Sequence, residues 1–373
     1  MQIIKAILLA VIIYTIQKKL YELYWYKNLK VDIKFVDRYI EAGEKSRLLE
    51  VINNAKLLPL PVIHVKYAVS RSFLFSDYEN VVVTDMYHRN DTFSVMGNRK
   101  ITRNLEFIAS MRGLYDIQNA NVVSRDLFMT SNFAERIDCN TFLYVFPKKI
   151  KELNIDIALN TILGEIETRK SLMEDPYTFR GIRDYDVSDN MSKINWKATA
   201  RTSNLMVNLY NHTSEYKVKI ILNVDVNTMY KTSLLREKCI ELASTTAQYM
   251  LKHKIPVMLK SNGLDKITGE CGEIDFGASY NHLTSIDKYL ARIDKDCGVD
   301  KFMHILNEEV KELDTTVSYV IISANYNKDI ILKLSYMKKY GADIHMIVPY
   351  YRDTEFVSPA DYAFGWEVNM DDA

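Results

Sequence analysis

Glycine and proline are scarce in this sequence, 12 and 7 among 373 residues, which excludes long flexible linkers and low-complexity tracts. No charge of one sign dominates, because 48 Lys plus Arg balance 48 Asp plus Glu. The strong basic field of a nucleic-acid-binding protein is therefore missing, although a local basic patch stays open. Cysteine is sparse and scattered. Cys139, Cys239, Cys271 and Cys297 form no CxxC pair and have none of the seven histidines clustered beside them. That excludes the grouped soft ligands of a structural zinc site. It reads as four reduced thiols of a cytosolic protein, with a disulfide between two of them left open. No internal repeat of solenoid period is present.

Catalytic motifs are missing too. The chain has no P-loop, no GxGxxG opening a helix, no HExxH and no GxSxG. Cys271 sits in a carboxylate-rich stretch, and the nearest base in sequence is His282. A thiol nucleophile needs an aligned base, and nearness in sequence does not supply one. No catalytic residue is assigned, and the chain reads as a non-enzyme.

What is there begins with residues 3–16, IIKAILLAVIIYTI, apolar apart from Lys5 and closed by Gln17-Lys18-Lys19. With Lys5 snorkelling, the run approaches the lower limit of about 17 residues for a spanning helix. Tyr21, Tyr24, Trp25 and Tyr26 follow as an interfacial aromatic belt would. Lys18, Lys19, Lys27 and Lys30 outnumber the lysine ahead of them, so the soluble part would face the cytoplasm. The expectation is a single-pass anchor in the cell membrane over 1–28. A cleaved signal peptide lacks its small-residue site, and a buried or surface amphipathic helix is the competing reading.

Residues 29–150 alternate apolar and polar positions in short runs, such as Val31, Ile33, Phe35 and then Ile63, Val65, Tyr67, Val69. Turn signals divide these runs, as at Ala42-Gly43-Glu44 and Pro59-Leu60-Pro61. The pattern predicts an all-β, immunoglobulin-like sandwich. Within it Gly113 is read as backbone freedom, Asp126 as a turn cap and Phe128 as core. A connector at 151–175 then leads to 176–373, where apolar strands at 216–226, 256–259, 318–324 and 343–348 alternate with helical stretches. That order predicts a doubly wound parallel sheet. Leu205, Val207 and Leu209 predict a hairpin with the Tyr216 strand, added as an antiparallel edge.

The most informative stretch is 179–210, with Gly181, Arg183, Tyr185, Asp189, then Ile194, Trp196, Lys197, Ala198, Ala200, Arg201, and finally Leu205 and Val207. This order of residue types resembles the signature of the bacterial domain of unknown function 58 family. The chain departs from that signature where Val187-Ser188 replace a usual Pro-Gly. The resemblance implies one or two membrane segments, a sandwich, and a von Willebrand factor A-like α/β domain. It also implies a MoxR-type AAA+ ATPase as partner in assembling or maturing other complexes. Such α/β domains hold a divalent cation on alternate residues of one loop, matched here by Asp225, Asn227 and Met229. Mg²⁺ wants hard oxygen ligands, which a thioether is not, so Asp225 and Asn227 are expected to cap the loop and no cofactor is expected. A metal-dependent ligand-binding module on Asp225 and Asn227 is the alternative. Arg180, Arg183, Asp184, Tyr185, Asp189, Trp196, Lys197 and Arg201 are expected either to clamp the sandwich to the α/β domain or to dock a partner. Trp196, with Ile194 before it, is expected to anchor the preceding loop in an apolar pocket, and in the docking reading Arg and Trp are the hot-spot residues.

Overall fold

The structure, a computed structural model, describes residues 2–75, 81–83, 86–172, 179–187, 189–210, 216–225, 232–293, 301–351 and 356–368. The chain divides into two compact units, Met1–Lys148 and Lys149–Ala373.

Unit 1 opens with helix α1 (Gln2–Tyr24) and strands β1 (Leu29–Phe35), β2 (Tyr39–Glu41), β3 (Lys45–Asn54), β4 (Leu60–Ser70) and β5 (Phe73–Phe75). It continues with β6 (Val81–Val83), β7 (Met86–Val95), β8 (Arg99–Ala109), β9 (Gly113–Arg125) and β10 (Asn132–Phe146). One sheet has the order β1-β3-β8-β5 and the other β2-β10-β9-β4-β7-β6. Period-two alternation turns one side of each sheet inward. Ile33 and Phe35 of β1, Leu48 and Ile52 of β3, and Phe107 of β8 share a buried cluster with Val65, Tyr67 and Val69 of β4 and Val145 of β10. Two sheets around one apolar core make the β-sandwich that the alternation predicts, and each large side chain fully buried there contributes roughly 1.5–3 kcal/mol.

Asp126 does cap its turn, accepting from the Thr130 and Ser131 amides at 2.6 and 3.0 Å. Phe128, expected in the core, is exposed instead. Gly113 is needed for room rather than for an unusual backbone angle, since a Cβ there would meet the Tyr115 ring at 2.9 Å.

A charged group crosses the sandwich interior. Asp91 of β7 is fully buried and accepts from Arg89 Nε at 3.0 Å and Arg89 Nη2 at 3.1 Å. It also accepts from Arg103 Nη1, on a strand of the opposite sheet, at 2.8 Å. Glu50 lies opposite Arg103 in the β3–β8 ladder, buried with neither carboxylate oxygen hydrogen-bonded.

The N-terminal helix departs from expectation. No helix among the described residues is long and apolar enough to cross a membrane. Lys5, Lys18 and Lys19 interrupt the run, and positions 3–16 rise only about 21 Å against about 30 Å of hydrocarbon. Tyr21 and Trp25, expected in an interfacial belt, are buried in the sandwich core. Tyr21 Oη donates to the Pro59 carbonyl at 2.7 Å, and Trp25 stacks on Phe133 with centroids 6.2 Å apart. The end of the expected anchor is thus part of the sandwich.

Unit 2 starts at Lys149, whose buried ammonium donates to Ser244 Oγ and to the two Asp287 oxygens at 2.9 and 2.8 Å. The expected connector is mostly helix α2 (Leu153–Leu172). Ile155, Leu159, Ile162 and Ile166 recur at helical spacing and are buried in the unit's main cluster, so this segment belongs to the second unit's core. Next come β11 (Phe179–Asp184), α3 (Trp196–Thr202), β12 (Met206–Tyr210), β13 (Lys217–Asn223) and α4 (Thr232–Lys252). After them are β14 (Val257–Leu264), β15 (Cys271–Gly277), α5 (Tyr280–Arg292), α6 (Lys301–Lys311) and β16 (Val317–Ser323). The unit ends with α7 (Lys328–Lys339), β17 (Asp343–Tyr351) and β18 (Ala363–Val368).

The six-stranded sheet runs β15-β14-β13-β16-β17-β18, with β15 antiparallel at the edge and the other five strands parallel. Val218, Ile220 and Leu222 face the cluster that holds α2, α4 and α5, while Ile221, Tyr319 and Ile321 face that of α6 and α7. Burial on both faces explains the near-continuous apolar run of β16. The expected hairpin with the Tyr216 strand is corrected: β12 pairs with β11 in a separate two-stranded sheet.

Candidate functional site

In an open parallel sheet, ligands collect at the carboxyl ends of the strands where the order reverses. Here that point flanks β13, with β14 on one side and β16 on the other. Asn223 ends β13 and donates from Nδ2 to Ser323 Oγ at 2.9 Å. Asn262 Nδ2 donates to Asn223 Oδ1 at 2.9 Å and to Asp225 Oδ2 at 2.8 Å, while its own oxygen accepts from the Val224 amide at 2.9 Å. The carboxylate expected to head a cation loop is therefore tied into an amide ladder that joins three strand ends. Asn227 and Met229 lie outside the described residues. The ladder stiffens the sheet end and holds no nucleophile.

Two of the described thiols are equally quiet, and Cys297 lies outside the described residues. Burial pushes Cys239 up to about 12 and Cys139 up to about 11, so both stay protonated and unreactive. Cys271 opens β15 and His282 lies in the first turn of α5, the thiol directed at the Asn262 carbonyl at 3.5 Å and the ring Nε2 2.7 Å from the Val257 carbonyl. The structure does not pair them.

The 179–210 segment builds a small platform of its own. Ile194 and Val207 are its buried centre and form a bridge to one another. Asn195 caps α3, accepting from the Ala198 amide at 2.9 Å and donating to Asn208 Oδ1 at 2.7 Å. Ser203 ends the helix in the left-handed region at φ 60°. Arg183 grips Asp189 with two hydrogen bonds of 2.6 Å, and this guanidinium, with the Asp186 amide, holds the Asp189 carboxyl below its ordinary range.

Trp196 is the main correction here. It is 69% exposed, not seated in a pocket. Exposed with it are Phe179, Val187 and Met191, and also Arg180, Asp184, Lys197 and Arg201, whereas Tyr185 and Asp189 are half-buried. Of the charged network expected from sequence, the structure realises the Arg183–Asp189 fork.

One group escaped the sequence reading. Glu165 of α2, with Asp343 and His345 of β17, brings three ligand-type atoms within 4.8 Å of one another. The available signal was the Asp-x-His pair opening an otherwise apolar strand.

No protein-family model matches the chain, and no curated protein matches it. Solved structures similar to parts of it include the CARDB domain of a Pyrococcus furiosus protein in complex with di-metal ions, 13% identical over 30% of this chain and 86% of that one, TM-score 0.20. A non-cellulosomal cohesin from Archaeoglobus fulgidus is 10% identical over 32% and 91% of the two chains, TM-score 0.22. The cohesin module of a Clostridium perfringens family 33 glycoside hydrolase is 6% identical over 30% and 97%, TM-score 0.19. The expected fold class is corrected: no helix among the described residues is long and apolar enough to cross a membrane, and Asp225, expected to head a von Willebrand factor A-like cation loop, is hydrogen-bonded to Asn262. Unit 2 is described by its own strand order alone.

Proposed function

We propose that this chain is a non-enzymatic adaptor that docks a partner protein on the β11–α3–β12 platform. The observation that supports this reading is Trp196, 69% exposed on a short capped helix in the same segment as the Arg183–Asp189 fork. A large indole left in water is unfavourable unless a partner covers it, and Trp with Arg dominates interface hot spots. Val187 and Met191 are further exposed apolar side chains of the same segment, and Arg180, Lys197 and Arg201 are exposed cations in it, the residue types that interfaces use. The partner proposed is a MoxR-type AAA+ ATPase, on the strength of the signature's resemblance.

The test is biolayer interferometry of the full chain against purified MoxR-type ATPase from the same genome. Trp196→Ala is expected to weaken binding about 30-fold, the equivalent of about 2 kcal/mol at a hot spot, with an unchanged circular dichroism spectrum. Undiminished binding by both Trp196→Ala and Arg201→Ala would remove the platform from the proposal. Absence of any binding by the wild type would remove the ATPase.

A further inference from the structure

We infer that Glu165, Asp343 and His345 form a binding site for one divalent transition-metal ion, Zn²⁺ by preference. The inference is independent of the adaptor reading, since it concerns a different part of unit 2. Asp343 and His345 are two apart on β17, so their side chains leave the same face of the strand. Both are deeply buried, at 3% and 7% exposure. Charged or polar side chains are rare at such depth unless paired or ligating. Glu165 reaches the same place from α2, on the helix side that also carries Ala158, Thr161 and Ile162 into the cavity wall.

His345 and Asp343 hydrogen-bond one another, and Glu165 stands within ligand range of both without completing that bond. His345 Nε2 is 3.3 Å from Asp343 Oδ2 and 3.8 Å from Glu165 Oε2. The second distance is beyond a hydrogen bond. Tetrahedral ligands at about 2.0–2.1 Å from zinc stand about 3.3–3.5 Å from each other, so the His345–Asp343 spacing already fits, and Glu165, within 4.8 Å of both, closes the triad by moving inward on its exposed side chain. Asp343 has the outer support that metal carboxylates use, a hydrogen bond from the buried hydroxyl of Ser318.

Charge points the same way. The group offers two carboxylates and one imidazole to an ion, and the cavity's Lys338 is engaged by Asp361 at 2.8 Å. One imidazole and two carboxylates suit zinc-like ions, while Mg²⁺ and Ca²⁺ favour all-oxygen sites. The group lines a cavity of about 430 Å³ shared with Tyr362 and Phe364, which leaves room for a fourth ligand such as water. Bound there, the ion would clip α2 to β17 inside unit 2.

The full chain, stripped with EDTA and exchanged into chelator-free buffer, is titrated with ZnCl₂ by isothermal calorimetry. A saturable isotherm with one ion per chain is expected, unaffected by millimolar Mg²⁺. Glu165→Gln and His345→Gln should each weaken it at least about tenfold, and Asp225→Asn should leave it unchanged. Zn²⁺ should raise the melting temperature of the wild type but not of Glu165→Gln. Should the buried His345→Gln variant fail to fold, Glu165→Gln, exposed on its helix, still decides. The inference is overturned by the lack of a saturable isotherm. It is equally overturned by wild-type affinity in Glu165→Gln, which would send the ion elsewhere, for instance to the exposed His304–Glu308 pair.

Discussion

Replacing Glu50 by Gln is expected to stabilise the sandwich above neutral pH and to change little near pH 4. Burial, and then repulsion from the Asp91 carboxylate, raise the Glu50 carboxyl from its ordinary 4.5 to about 7. The arrangement explains why its arginine neighbours do not cancel this. Asp91 already takes the Arg89 fork at 3.0 and 3.1 Å and Arg103 at 2.8 Å. Arg103 is also 30% exposed, so water screens its charge. Glu50 is left buried against the Asp91 carboxylate, and the neutral acid is the cheaper form there.

The sign follows from which state binds the proton more tightly. A pKa raised on folding stabilises the fold fully below the unfolded value near 4.5, and that contribution is lost as pH rises through about 7. A gap of about 2.5 units at about 1.36 kcal/mol each sets the loss at about 3 kcal/mol by pH 8, as an order of magnitude. Glutamine keeps the shape and cannot ionise, so it should not show this loss. The assay is hydrogen exchange with mass spectrometry on the full chain from pH 5 to 8, following peptides of β3 and β4 and corrected for intrinsic exchange. The opening free energy of the wild type should fall with pH relative to Glu50→Gln, with the gap widening up to about pH 7. Parallel profiles across the range would refute the reasoning, for they would mean that Glu50 is ionised in the fold throughout.

Two further outcomes follow from the packing. Trp25→Ala should destabilise unit 1 by about 3–5 kcal/mol, as for other large core truncations. Urea unfolding monitored by circular dichroism reads this, and a loss under about 1 kcal/mol would show that the α1 end is peripheral to the sandwich. Asn195→Ala removes the α3 cap and should cost about 1 kcal/mol locally. Faster exchange of the α3 amides is the readout, and unchanged protection would mean that the cap is not what holds the platform.

Local periodicity made most of the strands legible. In β1 and β4 one side chain in two is buried, and that is visible in any short window. The α/β strands were legible for the opposite reason, a near-continuous apolar run such as Tyr319, Val320, Ile321 and Ile322. The connector was misread because α2 distributes its apolar residues among Asn, Thr and Glu, and only their spacing at Ile155, Leu159, Ile162 and Ile166 betrays the helix. Tyr21 and Trp25 were misread for a different reason. An aromatic group beside lysines fits a membrane interface and the edge of a protein core equally well, and only the tertiary contact to Pro59 and Phe133 distinguishes them.

The remaining failures have a common physical origin, which is that polar chemistry in a core is assembled from distant strands. Asp91 reads as one more polar residue of an alternating strand until Arg103 reaches it from the other sheet. Asp343 and His345 differ in one respect, because their anomaly is local. Two ionisable side chains on the same face of a strand otherwise buried along its length conflict with burial unless something satisfies both. Ser318 and His345 both hydrogen-bond Asp343, and the pair lies beside Glu165 at a cavity. That conflict is readable in the order Asp-x-His before an apolar run. The ion inferred to resolve it needs the third ligand, and only the fold brings Glu165 to the strand.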